Sequence, residues 1–430
     1  MHIFEGVGLL FTLVAVFGYI NHRFVKLPDT LGITAVGLVA SAGLSLLGVL
    51  VPGFDLSHKA QALVQQINFA DVVFHGLLSL LLFAGALHVD LSRLREHKVA
   101  VLLLATVGVL ISTAVVGTGL YAVGMVLGMP ISFLWCLVFG ALISPTDPIA
   151  VLSVLKSAGA SQAVESKIAG EALFNDGTAV VAFMTLVGLA SGAAEFSASA
   201  VATTLAREVF GAFGLGLAVG FGASVMLSKL DSYPVEILIT LAMATAGYSL
   251  AEALHVSAPL AVVVMGLVLG NHGAAKHMTE KTREHLFTFW GLLDELLNLV
   301  LFGLIGLEVI ALAFKLSDIW IGLAAIPVVL FARFTSVVLP LLAMRRFRQS
   351  SPHAVKIMTW GGLRGGISIA LALSLPPFEG REMLIGVTYL VVIFSLLVQA
   401  TTLGRLVRHC GGATCPPANK PVELVEVGVK

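Results

Sequence analysis

Of the chain's 430 residues, 58% are hydrophobic and a further 44 are glycine, an apolar share of roughly 68%, where soluble domains hold about 45–50%. Charged residues make up 12%, and 25 basic side chains balance 25 acidic ones. This composition excludes a soluble protein and offers nucleic acid no basic face. Cys136, Cys410 and Cys415 are too scattered for a disulfide framework and fit no zinc spacing.

Apolar stretches of about 20 residues, the length that crosses a bilayer, predict thirteen helices and leave no room for a soluble domain. The first, 5–22, follows Met-His-Ile-Phe-Glu instead of a basic leader and reads as a mature span. Spans 30–50, 69–88 and 99–127 come next, the third carrying His75 and His88, which are read as packing residues.

The fifth span, 131–155, is interrupted by Ser144-Pro145-Thr146-Asp147-Pro148. Two prolines remove two backbone donors and clash with preceding carbonyls, so the helix should break. Unwound backbone at membrane depth survives only where it is buried in protein or lines a cavity. Asp147 would sit there beside the N-terminus of the second half-helix; a kink with a capping aspartate is the plainer reading.

The sixth span, 168–190, opens with Gly170-Glu171-Ala172-Leu173-Phe174-Asn175-Asp176-Gly177-Thr178. Helical spacing puts Asp176 on a face with Ala172 and Leu173, and Glu171 on a face with Asn175. One acid can then face the broken helix while the other faces a buried cation such as Arg333. In the seventh span, 200–228, Gly211, Gly214, Gly216, Gly220 and Gly222 permit close helix approach.

Spans 233–254, 258–271 and 286–312 follow; the last holds Asp294, Glu295 and Glu308, which the sequence does not assign, and His272, His277 and His285 precede it in a basic connection read as solvated. Arg333 lies within the eleventh span, 319–343, and Arg345-Arg346-Phe347-Arg348 after it reads as an interfacial anchor. The twelfth, 354–375, contains Gly361-Gly362-Leu363-Arg364-Gly365-Gly366, where four glycines around a basic residue suggest unwinding or very close packing. The thirteenth is 383–404.

Fourteen Lys and Arg residues lie in odd-numbered connections, against Lys59, Lys315, Arg381 and Arg207 on the even side. The positive-inside rule therefore expects the N-terminus outside and the C-terminus in the cytoplasm. An acidic break and a basic break seven spans apart form the pattern of inverted repeats crossing at the midplane. Asp147, Asp176, Arg333 and Arg364 sit centrally, and each costs about 2.5–3.5 kcal/mol to insert, which points to an ion pathway rather than structural pairing alone. A catalytic Asp147–Asp176 pair in an intramembrane enzyme is the competing class, but no His-Glu-x-x-His or Gly-x-Ser-x-Gly string supports it.

Thr146-Asp147-Pro148, Gly170-Glu171 with Phe174-Asn175-Asp176, and Gly361-Gly362-Leu363-Arg364-Gly365 together resemble the signatures of the NhaP-type sodium/proton antiporters, relatives of the animal NHE exchangers in the cation:proton antiporter superfamily. The resemblance implies an all-α polytopic membrane protein of about thirteen helices with inverted repeats and crossed discontinuous helices. It implies a homodimer in the inner (plasma) membrane that exchanges Na⁺ or Li⁺ for protons electroneutrally and serves pH homeostasis, with K⁺/H⁺ exchange as the alternative. No cofactor is implied beyond the transported ions, and lipids are the only other partner.

By the same resemblance, residues 1–90 and 233–312 form a dimerisation domain, 99–190 and 319–409 a core moving against it like an elevator, 200–228 a linker helix and 410–430 a short cytoplasmic tail. Asp176 would bind cation and proton alternately, and Asn175, Thr146 and Asp147 would complete the cation- and proton-binding set. Asp147 and Arg364 would compensate helix dipoles, and Glu171 with Arg333 would form a structural ion pair. The chain departs from some relatives in having Ala172 one turn before the aspartate and no acid in Leu82–Leu87, so two oxygen ligands are missing.

Overall fold

The computed structural model describes residues 3–50, 69–129, 131–192, 198–230, 232–273, 278, 280–311, 316–344 and 353–411. Helices dominate them, and no strand occurs among the described residues. In chain order they are α1 (Ile3–Ile20), α2 (Asp29–Leu50), α3 (Phe69–Leu87), the short α4 (Leu91–Glu96) and α5 (Lys98–Val126). Then come α6 (Phe133–Leu142), α7 (Pro148–Ala158), α8 (Gln162–Ala190), α9 (Ala198–Leu227), α10 (Tyr233–Ala253) and α11 (Ala258–Val268). The last are α12 (Glu280–Glu308), α13 (Leu316–Met344), α14 (Ala354–Trp360), α15 (Gly366–Leu373) and α16 (Arg381–Cys410).

Among the described residues, ten helices are long and apolar enough to cross a membrane. The other three expected spans fall on α6 with α7, on α11, and on α14 with α15, two of them interrupted and one short. Large apolar side chains stand bare on the outside, among them Val126, Phe210, Trp320 and Phe331. Such a belt suits lipid and not water.

The breaks fall where the residues require them. α6 ends two residues before Ser144-Pro145, and α7 restarts with Pro148 at its first position, where the missing N–H costs nothing. A Cβ on Gly362 would lie 2.8 Å from Cδ of Arg333, and one on Gly365 would lie 2.7 Å from Oδ2 of Asp147. The glycine run thus serves both unwinding and close packing. α5 bends at Thr106, whose hydroxyl donates to the Leu102 carbonyl at 2.6 Å and competes with the helical ladder.

Two apolar clusters organise the interior. One surrounds the broken helices and draws on α1, α2, the N-terminal part of α3, α5–α8 and α13–α16, together with the C-terminal part of α12. The other centres on α11, every residue of which from Ala258 to Val268 is buried. A helix apolar all round belongs at the centre of a bundle, and that position accounts for the short ninth span. α2 is tied to α12 by hydroxyls: Thr34 donates to the Phe302 carbonyl at 3.0 Å and Ser41 to that of Gly306 at 2.9 Å.

Of the five glycines on α9, Gly211, Gly216 and Gly220 abut Val256, Val264 and Val268 respectively, while Gly214 and Gly222 face open space. His272 meets Phe221 and His285 meets Tyr233 in ring contacts. His277, the Arg345–Arg348 anchor, Cys415 and the side chain of His75 lie outside the described positions.

The glycine geometry separates two substitutions. A Cβ at Gly216 would approach the Ala261 carbonyl oxygen to 2.7 Å, and backbone cannot yield. Gly216→Ala is expected to cost about 1–3 kcal/mol through overpacking, whereas Gly214→Ala should be neutral or gain up to about 1 kcal/mol. Thermal melting of the detergent-solubilised protein reads the difference, and equal melting of the two variants would contradict the packing.

Candidate functional site

The two unwound segments touch. Asp147 N–H donates to the Leu363 carbonyl at 2.8 Å, a single backbone rung between the breaks. Arg364 is almost fully buried, and its Nη1 donates to the carbonyls of Ser144 and, at 3.0 Å, Pro145. Those carbonyls follow the C-terminal end of α6, where the helix concentrates partial negative charge. The Arg364 backbone N–H is held by Ser395 Oγ at 2.9 Å.

Asp147 is half-buried and precedes α7, as the sequence suggests, but its carboxylate also packs on Gly365, the residue before α15. Each break is therefore answered by the charged residue of the other: the guanidinium covers carbonyls beyond α6, and the carboxylate stands at the N-terminal, partly positive end of α15.

α8 lies against this crossing and divides its faces. Glu171 accepts from both Nη1 and Nη2 of Arg333 on α13, the second contact at 3.0 Å, and Arg333 Nε donates to the Met358 carbonyl at 3.2 Å. Both residues are buried. One turn on, Asn175 Nδ2 donates to Thr146 Oγ1 at 2.8 Å, joining α8 to the first break. On the other side, Gly177 faces Leu260 of α11.

Asp176 sits between these faces, 3% exposed, with Oδ1 unpartnered by protein groups and Asp147 within electrostatic reach. The residues singled out in the sequence thus converge: Thr146, Asp147 and Arg364 at the crossing, Asn175 and Asp176 beside it, and the Glu171–Arg333 pair behind. Ala172 and Ala84 are both fully buried, and their methyl side chains carry no ligand oxygen.

Ser112, Ser336 and Ser395 carry no sequence signal. Ser144 Oγ lies 2.9 Å from Ser112 Oγ and donates to the Gly140 carbonyl at 2.7 Å, while Ser336 and Ser395 support the two arginines. Single serines in apolar helices have no periodicity to betray them. Of the acids on α12, half-buried Asp294 lies within electrostatic reach of His88 and Asp147, and its Oδ1 accepts from Asn298 Nδ2 at 3.2 Å. His88 lies at the end of α3, exposed on one side, with its ring packed edge-on against Phe287 at 5.3 Å and Nδ1 2.8 Å from the Ala84 carbonyl oxygen. Glu308 is buried and faces the vicinity of Tyr389, whereas Glu295 is exposed.

The family described as "Sodium/hydrogen exchanger, transmembrane" matches residues 11–409. The chain belongs to that family. It is 45% identical over 410 residues to the Na⁺/H⁺ antiporter NhaP of Pseudomonas aeruginosa, covering 94% of this chain and 96% of the relative. The Na⁺/H⁺ antiporter NhaH of Halobacillus dabanensis is 34% identical across 90% of this chain and 93% of its own length. In fold the exchanger superposes on the sodium proton antiporter MjNhaP1 of Methanocaldococcus jannaschii with a TM-score of 0.71 at 20% identity, covering 95% of this chain and 99% of that one. Membership of this family places the exchanger among multi-pass membrane transporters.

The geometry of the ion pair sets a test. Removing one partner strands a buried charge, at a cost of about 3–5 kcal/mol, while removing both is milder. Glu171→Gln and Arg333→Gln should each lower the melting temperature, and the double substitution should lower it by less than the sum of the two. Strict additivity would mean that the two side chains do not stabilise each other.

Proposed function

We propose that this exchanger is a secondary active antiporter that swaps one Na⁺ (or Li⁺) for one proton through Asp176, electroneutrally, with an elevator-type movement. The observation that carries this reading is the buried Asp176 carboxylate, unpartnered at Oδ1, between the crossing of the broken helices and α11. A hard monovalent cation wants oxygen ligands with negative charge, and a proton competes for the same atoms.

Charge balance gives the coupling rule. Glu171 neutralises Arg333, and Asp147 offsets Arg364. Asp176 is then one negative charge in excess. With a cation or a proton bound, the group as a whole is neutral; empty, it carries a net charge whose passage through an apolar barrier is expensive. Only loaded forms cross, so exchange is obligatory. The Thr146 carbonyl and water supply oxygens that Ala172 and the third span do not.

The movement we propose takes α5–α8 and α13–α16 as the mobile core and α1–α3 with α10–α12 as the dimerisation unit, α9 linking them. Glu171–Arg333 and Arg364–Ser144 tie the core internally, and Thr34–Phe302 ties the other unit. The contacts of Gly177 on Leu260 and Gly366 on Leu301, which run between them, are apolar. Thirteen crossings, a homodimer in the plasma membrane, an external N-terminus and a cytoplasmic C-terminus complete the proposal, following the distribution of basic residues.

Two experiments test it. Asp176→Asn proteoliposomes should insert normally and show no cation-driven proton flux for Na⁺, Li⁺ or K⁺, because an amide cannot alternate between charge states; residual flux above background removes Asp176 from the mechanism. In the unaltered protein, with voltage clamped by K⁺ and valinomycin, Na⁺-driven proton flux should be independent of the imposed potential. Rates that follow voltage at fixed ion gradients would overturn one-for-one exchange, and K⁺-selective flux would replace the Na⁺ assignment.

A further inference from the structure

Behind the crossing, Ser112, Ser144, Ser336, Asn175 and Arg364 enclose a cavity of about 10 Å³, with the Glu171–Arg333 pair forming one wall. Almost every polar group around it has a protein partner. Both carboxylate oxygens of Glu171 are taken by Arg333, Ser336 Oγ donates to the Arg333 carbonyl at 3.0 Å, and Ser144 is held by Ser112 and Gly140. Two atoms are left over: Nε of Arg364, a donor, and Oδ1 of Asn175, an acceptor. Their residues are 2% and 1% exposed.

We infer that this cavity holds one resident water molecule, which accepts from Arg364 Nε–H and donates to Asn175 Oδ1. Its second proton is directed at the Oγ of Ser112 or Ser336. Three hydrogen bonds are the usual complement of a buried water, and the volume is the minimum for one. The alternatives fit less well. A cation here would face two guanidinium groups, and an anion would face Glu171 and the Asn175 carbonyl in a space no larger than a water. Turning the Asn175 amide over would present a second donor, which a water oxygen still accepts.

The water has a consequence for ion binding that rests on the reading of Asp176 as the carrier. Asn175 Nδ2 is committed to Thr146 Oγ1 at 2.8 Å, and its carbonyl is committed to the water. Asn175 therefore presents no oxygen to the transported cation, although it adjoins the carboxylate that does. It is a positioning residue that fixes α8 to the first break directly and to the second through the water, with Ser112 adding α5 to the same junction.

The test is a structure of the unaltered dimer in lipid, resolved well enough to show ordered water, in buffers with and without Na⁺. Density about 2.7–3.2 Å from both Arg364 Nε and Asn175 Oδ1 is expected in both buffers. A direct Arg364–Asn175 hydrogen bond, an empty cavity, or Asn175 Oδ1 turned onto a cation would overturn the inference. Ser112→Ala and Ser112→Val supply a second arm: both lose the contact with Ser144, but only valine fills the water's space. Ser112→Val should melt at a lower temperature than Ser112→Ala and lack the density; equal or higher melting counts against the water. Neither arm measures flux, so a failure of the exchange reading is recorded separately, by the Asp176→Asn and voltage experiments.

Discussion

Hydrocarbon offers no hydrogen bonds, so a helix that stops at membrane depth must find partners for its exposed backbone inside the protein. Here that requirement arises twice, at Ser144–Asp147 and at Gly361–Gly365, and each break meets it with the other's charged residue. Bringing Arg364 onto the carbonyls after α6 forces the second break to lie across the first. Asp147 N–H on the Leu363 carbonyl fixes the register of that crossing. The glycines follow from the same constraint, since side chains at 362 and 365 would occupy the space of Arg333 and Asp147.

α8 takes its orientation from this crossing. Glu171 and Asn175, one turn apart, anchor it to α13 and to the first break, which leaves Asp176 rotated toward the boundary with α11. The ion pair and the carboxylate thus have separate tasks despite lying on one short stretch of helix. Glu171 is gripped at both oxygens by a bidentate guanidinium, a geometry that lysine could not reproduce. Asp176 keeps an oxygen free of such a partner.

Much of this was legible in the residues because membrane sequences are constrained in few, loud ways. Long apolar runs mark helices, and prolines or glycine clusters inside them mark breaks. Charges that hydrocarbon penalises mark Asp147, Glu171, Asp176, Arg333 and Arg364. What stayed hidden depends on three-dimensional pairing. Helical spacing separates Glu171 from Asp176 but does not say that Asp147 reaches the half-helix beyond the other break. Ser112, Ser336 and Ser395 contribute one hydroxyl each, and a hydroxyl in an apolar helix more often bonds its own preceding turn. The exposure of His88 and the approach of Asp294 to Asp147 are likewise set by how α3 and α12 lean on the core.

The uniform burial and uniform greasiness of α11 have their own effect. From Ala258 to Val268 it offers no hydroxyl, amide or charge, and the side of α8 nearest Asp176 meets it through a glycine. Dispersion forces are short-ranged and barely directional, so translating one such surface along another exchanges equivalent contacts instead of severing particular bonds. In the elevator-type movement proposed above, α11 would serve as a lubricated rail. The friction along it would be nearly the same at every position, and the ionisation state of a single carboxylate would decide when the carriage runs.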